Sequence, residues 1–306
     1  MTLRSAVAIA AAAFALLAFW LWTPDRDRAA LEAVYLQAPT DLVQVAGWRL
    51  HARDSGPRNA PAIVLIHGFG SSLHTWEPWA RDLSRTHRVL RFDLPGSGLS
   101  DPDPGGDYSD ARTMVLLLAL MDQLGIAKAH VVGHSIGGRM AWTFAAHQPQ
   151  RVDRLVLLSP DGFAGPDVSY GQPTEVPLAL ESMRYVLPRA LLRRQLEPAY
   201  ANRAVLSDAL ATRYHDLMLA PGSRKALLAR MRQTVLVDPL PWLARIQAPT
   251  LLLWGEQDGF IAPLHAASFM GALPNATLVT LPGVGHVPQE EAEVAALVLV
   301  RKFLSP

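Results

Sequence analysis

The sequence predicts an α/β fold: a mainly parallel, doubly wound sheet covered by helices on both faces, with a helical insertion at the carboxyl edge of its strands. Three observations predict it. Short runs of Val, Leu and Ile recur at 62–66, 155–158 and 251–254 without the polar alternation of half-exposed strands. Such continuous runs fit strands buried on both faces of a parallel sheet. Segments with helical spacing separate them, as at 109–124, and one long stretch, 161–247, breaks the alternation with no buried-strand run of its own.

Composition bounds the function classes. At 306 residues, half of them hydrophobic, the chain can bury a full core and hold one large domain plus an insertion. A formal net charge of +1 argues against a nucleic-acid binder, which would show a strongly basic stripe. There is no Cys, which excludes disulfides, thiolate metal sites and a Cys nucleophile.

In chain order, residues 5–22 carry no charge, with Arg4 before them and Asp25-Arg26-Asp27-Arg28 after. We read 1–24 as a membrane anchor, a transmembrane helix with Trp20 and Trp22 at the interface and the remainder of the chain outside the cytoplasm. The competing reading is a signal peptide cut near Ala13-Phe14-Ala15, which would leave a secreted or periplasmic protein. Residues 25–41 form a short helix or linker. Alternation around Gly47, over 42–45 and 48–52, predicts a β-hairpin. Strands follow at 62–66 and 89–92, then a helix over 109–124 capped by Ser109 or Asp110. A strand at 131–132 leads into Gly133-His134-Ser135-Ile136-Gly137, and a helix over 140–147 stops before Pro149. Strands at 155–158, 251–254 and 278–281 and a helix over 290–303 complete the pattern. The core is thus 42–160 with 248–306, and 161–247 is a helical lid above the strand ends, where ligands enter such sheets.

Four motifs end predicted strands: His67-Gly68-Phe69-Gly70, Gly133-His134-Ser135-Ile136-Gly137, Asp258 after Trp254-Gly255-Glu256-Gln257, and Gly283-Val284-Gly285-His286. Gly-x-Ser-x-Gly suits a nucleophilic Ser, because a side chain at either glycine would collide with backbone in a tight strand-to-helix turn. With all four present in the order Ser, Asp, His, the chain from 43 to 303 resembles the α/β-hydrolase fold superfamily, in its lid-bearing branch with esterases, lipases and C–C bond hydrolases. The resemblance implies Ser135 as nucleophile, His286 as base and Asp258 as its orienting acid, with the backbone N–H groups of Phe69 and Ile136 as the oxyanion hole. Asp161, after the preceding strand, is the rival acid. His67 is read as a loop-shaping residue, His134 as a flank of the site, and Asp93 with Gly96 and Gly98 as a fixed turn. Ser at 135 argues against the dehalogenases and epoxide hydrolases of this superfamily, which use Asp there. No zinc spacing or other cofactor motif is present.

The expected activity is hydrolysis of a carboxylic ester with apolar groups, a small-molecule or lipid-like substrate, through an acyl-enzyme. Phe163, Tyr170, Met183, Tyr185, Met218 and Trp242 are the candidate pocket or lid-packing side chains. C–C hydrolysis of a vinylogous diketone-like acid and perhydrolysis use the same triad. Residues 181–245 hold 11 Lys or Arg against 5 Asp or Glu, a solvated surface, a patch for an anionic bilayer or a source of carboxylate ligands. A non-catalytic binding protein on this fold is the alternative from another class. Nothing in the pattern specifies an oligomer.

Overall fold

The computed structural model describes residues 2–165 and 169–305. Two helices, α1 (Leu3–Leu21) and α2 (Arg28–Tyr35), precede an eight-stranded sheet of order β1-β2-β4-β3-β5-β6-β7-β8. β1 (Leu42–Val45) and β2 (Trp48–Ser55) form the hairpin, turning on Ala46 and Gly47, both at positive φ. β2 runs antiparallel to β4 (Arg88–Phe92). From β4 onward the sheet is parallel: β3 (Ala62–Ile66), β5 (Ala129–His134), β6 (Val152–Leu158), β7 (Thr250–Gly255) and β8 (Ala276–Leu281).

Side chains alternate across a strand, so each apolar run feeds two cores. Val64, Ile66, Val131, Leu157 and Leu252 face α4 (Asp110–Gln123) and α5 (Ile136–His147) on one side. Ile63, Leu65, Val132, Leu158 and Leu253 face the other side. There they meet α3 (Glu77–Leu83) and the C-terminal helix. Between β6 and β7 lie α6 (Leu178–Glu181), α7 (Arg189–Leu196), α8 (Asp208–Met218), α9 (Ser223–Gln233) and α10 (Leu240–Leu243). This helical insertion carries its own apolar cluster, including Met183, Leu187, Leu192, Met218 and Leu227. α11 (Leu264–Ala272) joins β7 to β8, and the chain ends in α12 (Pro288–Glu291) and α13 (Glu293–Leu304).

Three expectations change. The single helix expected over 290–303 breaks at Ala292, whose φ of −120° and ψ of 41° leave the helical region. α5 starts at Ile136, although Gly137 and Gly138 are poor helix formers, because tertiary packing selects them. The transmembrane helix expected over 1–24, on which the expected membrane partner rested, is not supported: among the described residues no helix is long and apolar enough to cross a membrane. α1 has 19 residues, which at 1.5 Å each rise about 28 Å, short of a hydrocarbon core of about 30 Å. Much of it is Ala, which adds little apolar surface.

A Cβ on Gly137 would overlap the Ile66 carbonyl oxygen and lie 2.5 Å from that of His67, whereas a Cβ on Gly271 in α11 would meet nothing within 4 Å. Gly137→Ala is therefore expected to destabilise by about 2–3 kcal/mol. Gly271→Ala is expected to stabilise by about 0.5–1 kcal/mol through helix propensity. Urea unfolding of the two variants checks both signs.

Candidate active site

The site begins with backbone strain. Ser135 sits between β5 and α5 at φ 56° and ψ −123°, a left-handed conformation that a non-glycine residue adopts only under tertiary constraint. The glycines around it supply the constraint. A Cβ on Gly133 would overlap the carbonyl of Gly137, one on Gly137 would overlap those of Ile66 and His67, and one on Gly138 would lie 2.9 Å from Pro160. The Ser135 N–H donates to the Leu158 carbonyl, and its own carbonyl accepts from Arg139 and Asp161. This holds the side chain at the carboxyl ends of β5 and β6. Ile136 is the first residue of α5, where N–H groups have no intrahelical partner, and the helix dipole there favours negative charge.

The loop after β3 presses against this turn. A Cβ on Gly68 would lie 2.8 Å from Nδ1 of His134 and 3.2 Å from the Ser135 Cβ. Phe69 and Ser135 consequently line one cavity. His67 shapes the loop from within. It is fully buried, its Nδ1 donates to the Gly68 carbonyl at 2.8 Å, and its Nε2 accepts from Leu94 N–H at 3.0 Å. Asp93 fixes the neighbouring turn by accepting from Leu73 N–H, Leu99 N–H and His51. Burial opposes its ionisation, but the His51 contact holds its carboxyl at about 2.

His286 lines the same cavity as Ser135. Its Nδ1 lies 2.9 Å from Oδ2 of Asp258, and both residues are buried. The second Asp258 oxygen accepts from the N–H groups of Phe260 and Ile261, each at 2.8 Å. Burial works against ionisation of Asp258. The hydrogen bond and charge of His286, with those two amides, outweigh it and hold the carboxyl below its usual range. A carboxylate only accepts, so Nδ1 carries the proton and Nε2 remains free to act as a base.

Asp161 points elsewhere. It pairs at 2.5 Å with Arg139, which is buried in the first turn of α5 and is also 2.9 Å from Asp110. Two residues hold His286 in place: His134, expected as a flank of the site, and Ala199, which sequence reasoning missed. His134 donates through Nε2 to the His286 carbonyl at 2.7 Å, and the His286 N–H donates to Ala199 of the insertion at 2.7 Å. Burial, then the nearby His286, drives the His134 pKa down to about 3, so it stays neutral. Glu290 and Glu291, just after His286, bind the insertion through Tyr200 and Arg213 and through the Asn202 N–H. Adjacent acids at a helix start carry no sequence signal for such a role.

Above Ser135 and His286 the cavity measures about 450 Å³, a common size for a small-molecule site. Its upper wall is apolar: Leu180, Met183, Leu192, Leu196, Met218 and Leu227, all from the insertion. Among the described residues its lining contains no Lys, Arg, Asp or Glu. Phe69 and Phe260 line it and remain 41% and 52% exposed, giving the mouth an aromatic edge. Of the other candidate pocket residues, Phe163 and Trp242 pack on the core cluster, while Tyr185 and Tyr170 are exposed.

A family model for the alpha/beta hydrolase fold matches residues 61–293. The chain belongs to the alpha/beta hydrolase family. It is 31% identical over 266 residues to a 2-hydroxy-6-oxononadienedioate/2-hydroxy-6-oxononatrienedioate hydrolase of Cupriavidus pinatubonensis, covering 84% of this chain and 91% of the relative. An enol-lactonase from Burkholderia xenovorans superposes with a TM-score of 0.74 at 27% identity, over 86% of this chain and 99% of that one. A membrane phospholipase A, described as a bacterial virulence factor, superposes with a TM-score of 0.74 at 25% identity, over 99% of this chain and 97% of that one.

The two acids separate by experiment. Asp258→Asn removes the carboxylate facing His286, and kcat on a p-nitrophenyl ester is expected to fall about 10⁴-fold. Asp161→Asn is expected to keep kcat and to lower stability by about 1–3 kcal/mol, because Arg139 retains Asp110. A larger kcat loss at Asp161 would reverse the assignment.

Proposed function

We propose that this alpha/beta hydrolase is a serine esterase that cleaves a carboxylic ester with an apolar acyl group through an acyl-enzyme. The observation that carries the reading is the cavity itself: Ser135 and the Asp258-oriented His286 line a space whose other side chains are mostly apolar, with Ser71, Gln195, Tyr200 and Tyr214 among the polar exceptions, and which among the described residues holds no Lys, Arg, Asp or Glu. In this reading 42–160 and 248–306 are the catalytic core, and 161–247 is a lid that keeps water from the acyl group.

In this reading Ser135 and His286 act together through two half-reactions. Nε2 of His286 takes the Ser135 proton as Oγ attacks the ester carbonyl. The oxyanion that forms accepts from the Phe69 and Ile136 N–H groups, each donor contributing about 3 kcal/mol to the barrier reduction. His286, now cationic and paired with Asp258, returns the proton to the departing alcohol. Water then attacks the acyl-enzyme by the same route, releasing the acid and restoring Ser135.

C–C bond hydrolysis is the second reading, favoured by the name of the Cupriavidus relative. A dienoic acid brings a carboxylate, and the basic side chains of the insertion are largely engaged elsewhere. Arg213 pairs with Glu290, Arg193 with Asp208 and Arg224 with Asp25. Arg139 and Arg230 line, with Phe69 and Asp161, a separate side recess of about 200 Å³. An apolar ester suits the main cavity better, because a carboxylate there would be buried without a counter-charge.

Steady-state kinetics on p-nitrophenyl esters of graded length, beside a 2-hydroxy-6-oxo-dienoate, tests the choice. The expected result is a kcat/KM that rises with acyl length and exceeds that on the dienoate, with Ser135→Ala at background on every substrate. A higher kcat/KM on the dienoate would favour the second reading.

A further inference from the structure

The segment after α1 is not a free linker: residues 22–36 lie across the insertion. The Trp22 ring sits 6.1 Å from that of Tyr185. The Thr23 N–H donates to the Tyr185 carbonyl at 2.8 Å, and its Oγ1 accepts from Leu187 N–H at 3.0 Å. Asp25 pairs with Arg224 at 2.6 Å and accepts from Gly222 N–H at 3.2 Å. The Arg26 N–H donates to the Leu219 carbonyl at 2.8 Å, and its guanidinium lies 3.0 Å from Asp216, which also accepts from the Tyr35 hydroxyl.

These contacts converge on the cavity wall. Arg224 is 4% exposed and donates from its other terminal nitrogen to the Met183 carbonyl at 3.3 Å. Met183 lines the cavity, as do Met218, which directly precedes Leu219, and Leu227, one turn along α9 from Arg224. The wall at Met183 cannot hold itself. It belongs to a single 3-10 turn over Ser182–Arg184 after the four-residue α6, and helices so short depend on tertiary contacts for their position. Among the described residues Asp25 is the only carboxylate paired with Arg224. Without it a buried guanidinium would lack a counter-charge and would leave Met183 to reach water.

We propose that residues 22–26 form a strap that sets the far wall of the substrate cavity, with Asp25, through Arg224, and Thr23, through Leu187, as positioning residues for acyl-chain selectivity. The selectivity rests on the esterase reading; the strap does not.

The test uses the full chain with Asp25→Asn and the milder Thr23→Val, which keeps the side-chain volume. In both, kcat/KM on p-nitrophenyl laurate is expected to fall roughly tenfold relative to the butyrate. The loss should lie in KM, with the rate of fluorophosphonate labelling unchanged. A wild-type laurate-to-butyrate ratio in both variants, or an equal loss on both esters, overturns the selectivity role. Hydrogen exchange at 183–187 reads the strap independently of any substrate. Faster exchange in Asp25→Asn is expected, and unchanged exchange overturns the strap. If the wild type hydrolyses neither ester while exchange responds, the esterase reading fails and the strap stands.

Discussion

The constraint on which the site depends is the approach of α5 to the loop after β3, with Gly137 against the carbonyls of Ile66 and His67. No side chain fits there. The approach lets α5 begin directly behind β5, and that in turn forces Ser135 to positive φ. It brings Phe69 and Ile136 into the lining of one recess. The strain at one residue is thus offset by packing over the elbow and the two core layers behind it.

His286 is positioned differently, by contacts from three directions. Asp258 holds the imidazole through Nδ1, His134 holds the main-chain carbonyl, and Ala199 of the insertion holds the N–H. Glu290 and Glu291 add further links to the insertion within five residues of His286. The insertion therefore frames the loop that carries His286 as well as contributing the wall of the cavity. Its other edge is bound to the strap at 22–26, so the cavity lies between two fixed margins. Phe69 and Phe260 line the same cavity and are themselves exposed.

The sheet was legible because its strands are buried on both faces and show as uninterrupted apolar runs such as 62–66. Ser135, Asp258 and His286 stood out because each ends such a run and glycines surround two of them. Asp258 was preferred to Asp161 in sequence only by its place in the family pattern, since both follow strands. The difference lies in Arg139, whose side chain claims Asp161. The N-terminus misled for a related reason. Charges flanking an apolar run read as the border of a membrane anchor, whereas Asp25 and Arg26 are paired with Arg224 and Asp216, about 200 residues away in sequence. Partners that distant leave no periodicity, and α3 and α11 are too short to show one.

The central claim is that Ser135 is an activated nucleophile. Intact-mass spectrometry after exposure to a fluorophosphonate, followed by peptide mapping, tests it most directly. The account predicts one adduct per chain, on Ser135, formed far more slowly in His286→Ala. An unmodified chain, or an adduct that persists in Ser135→Ala, would contradict it.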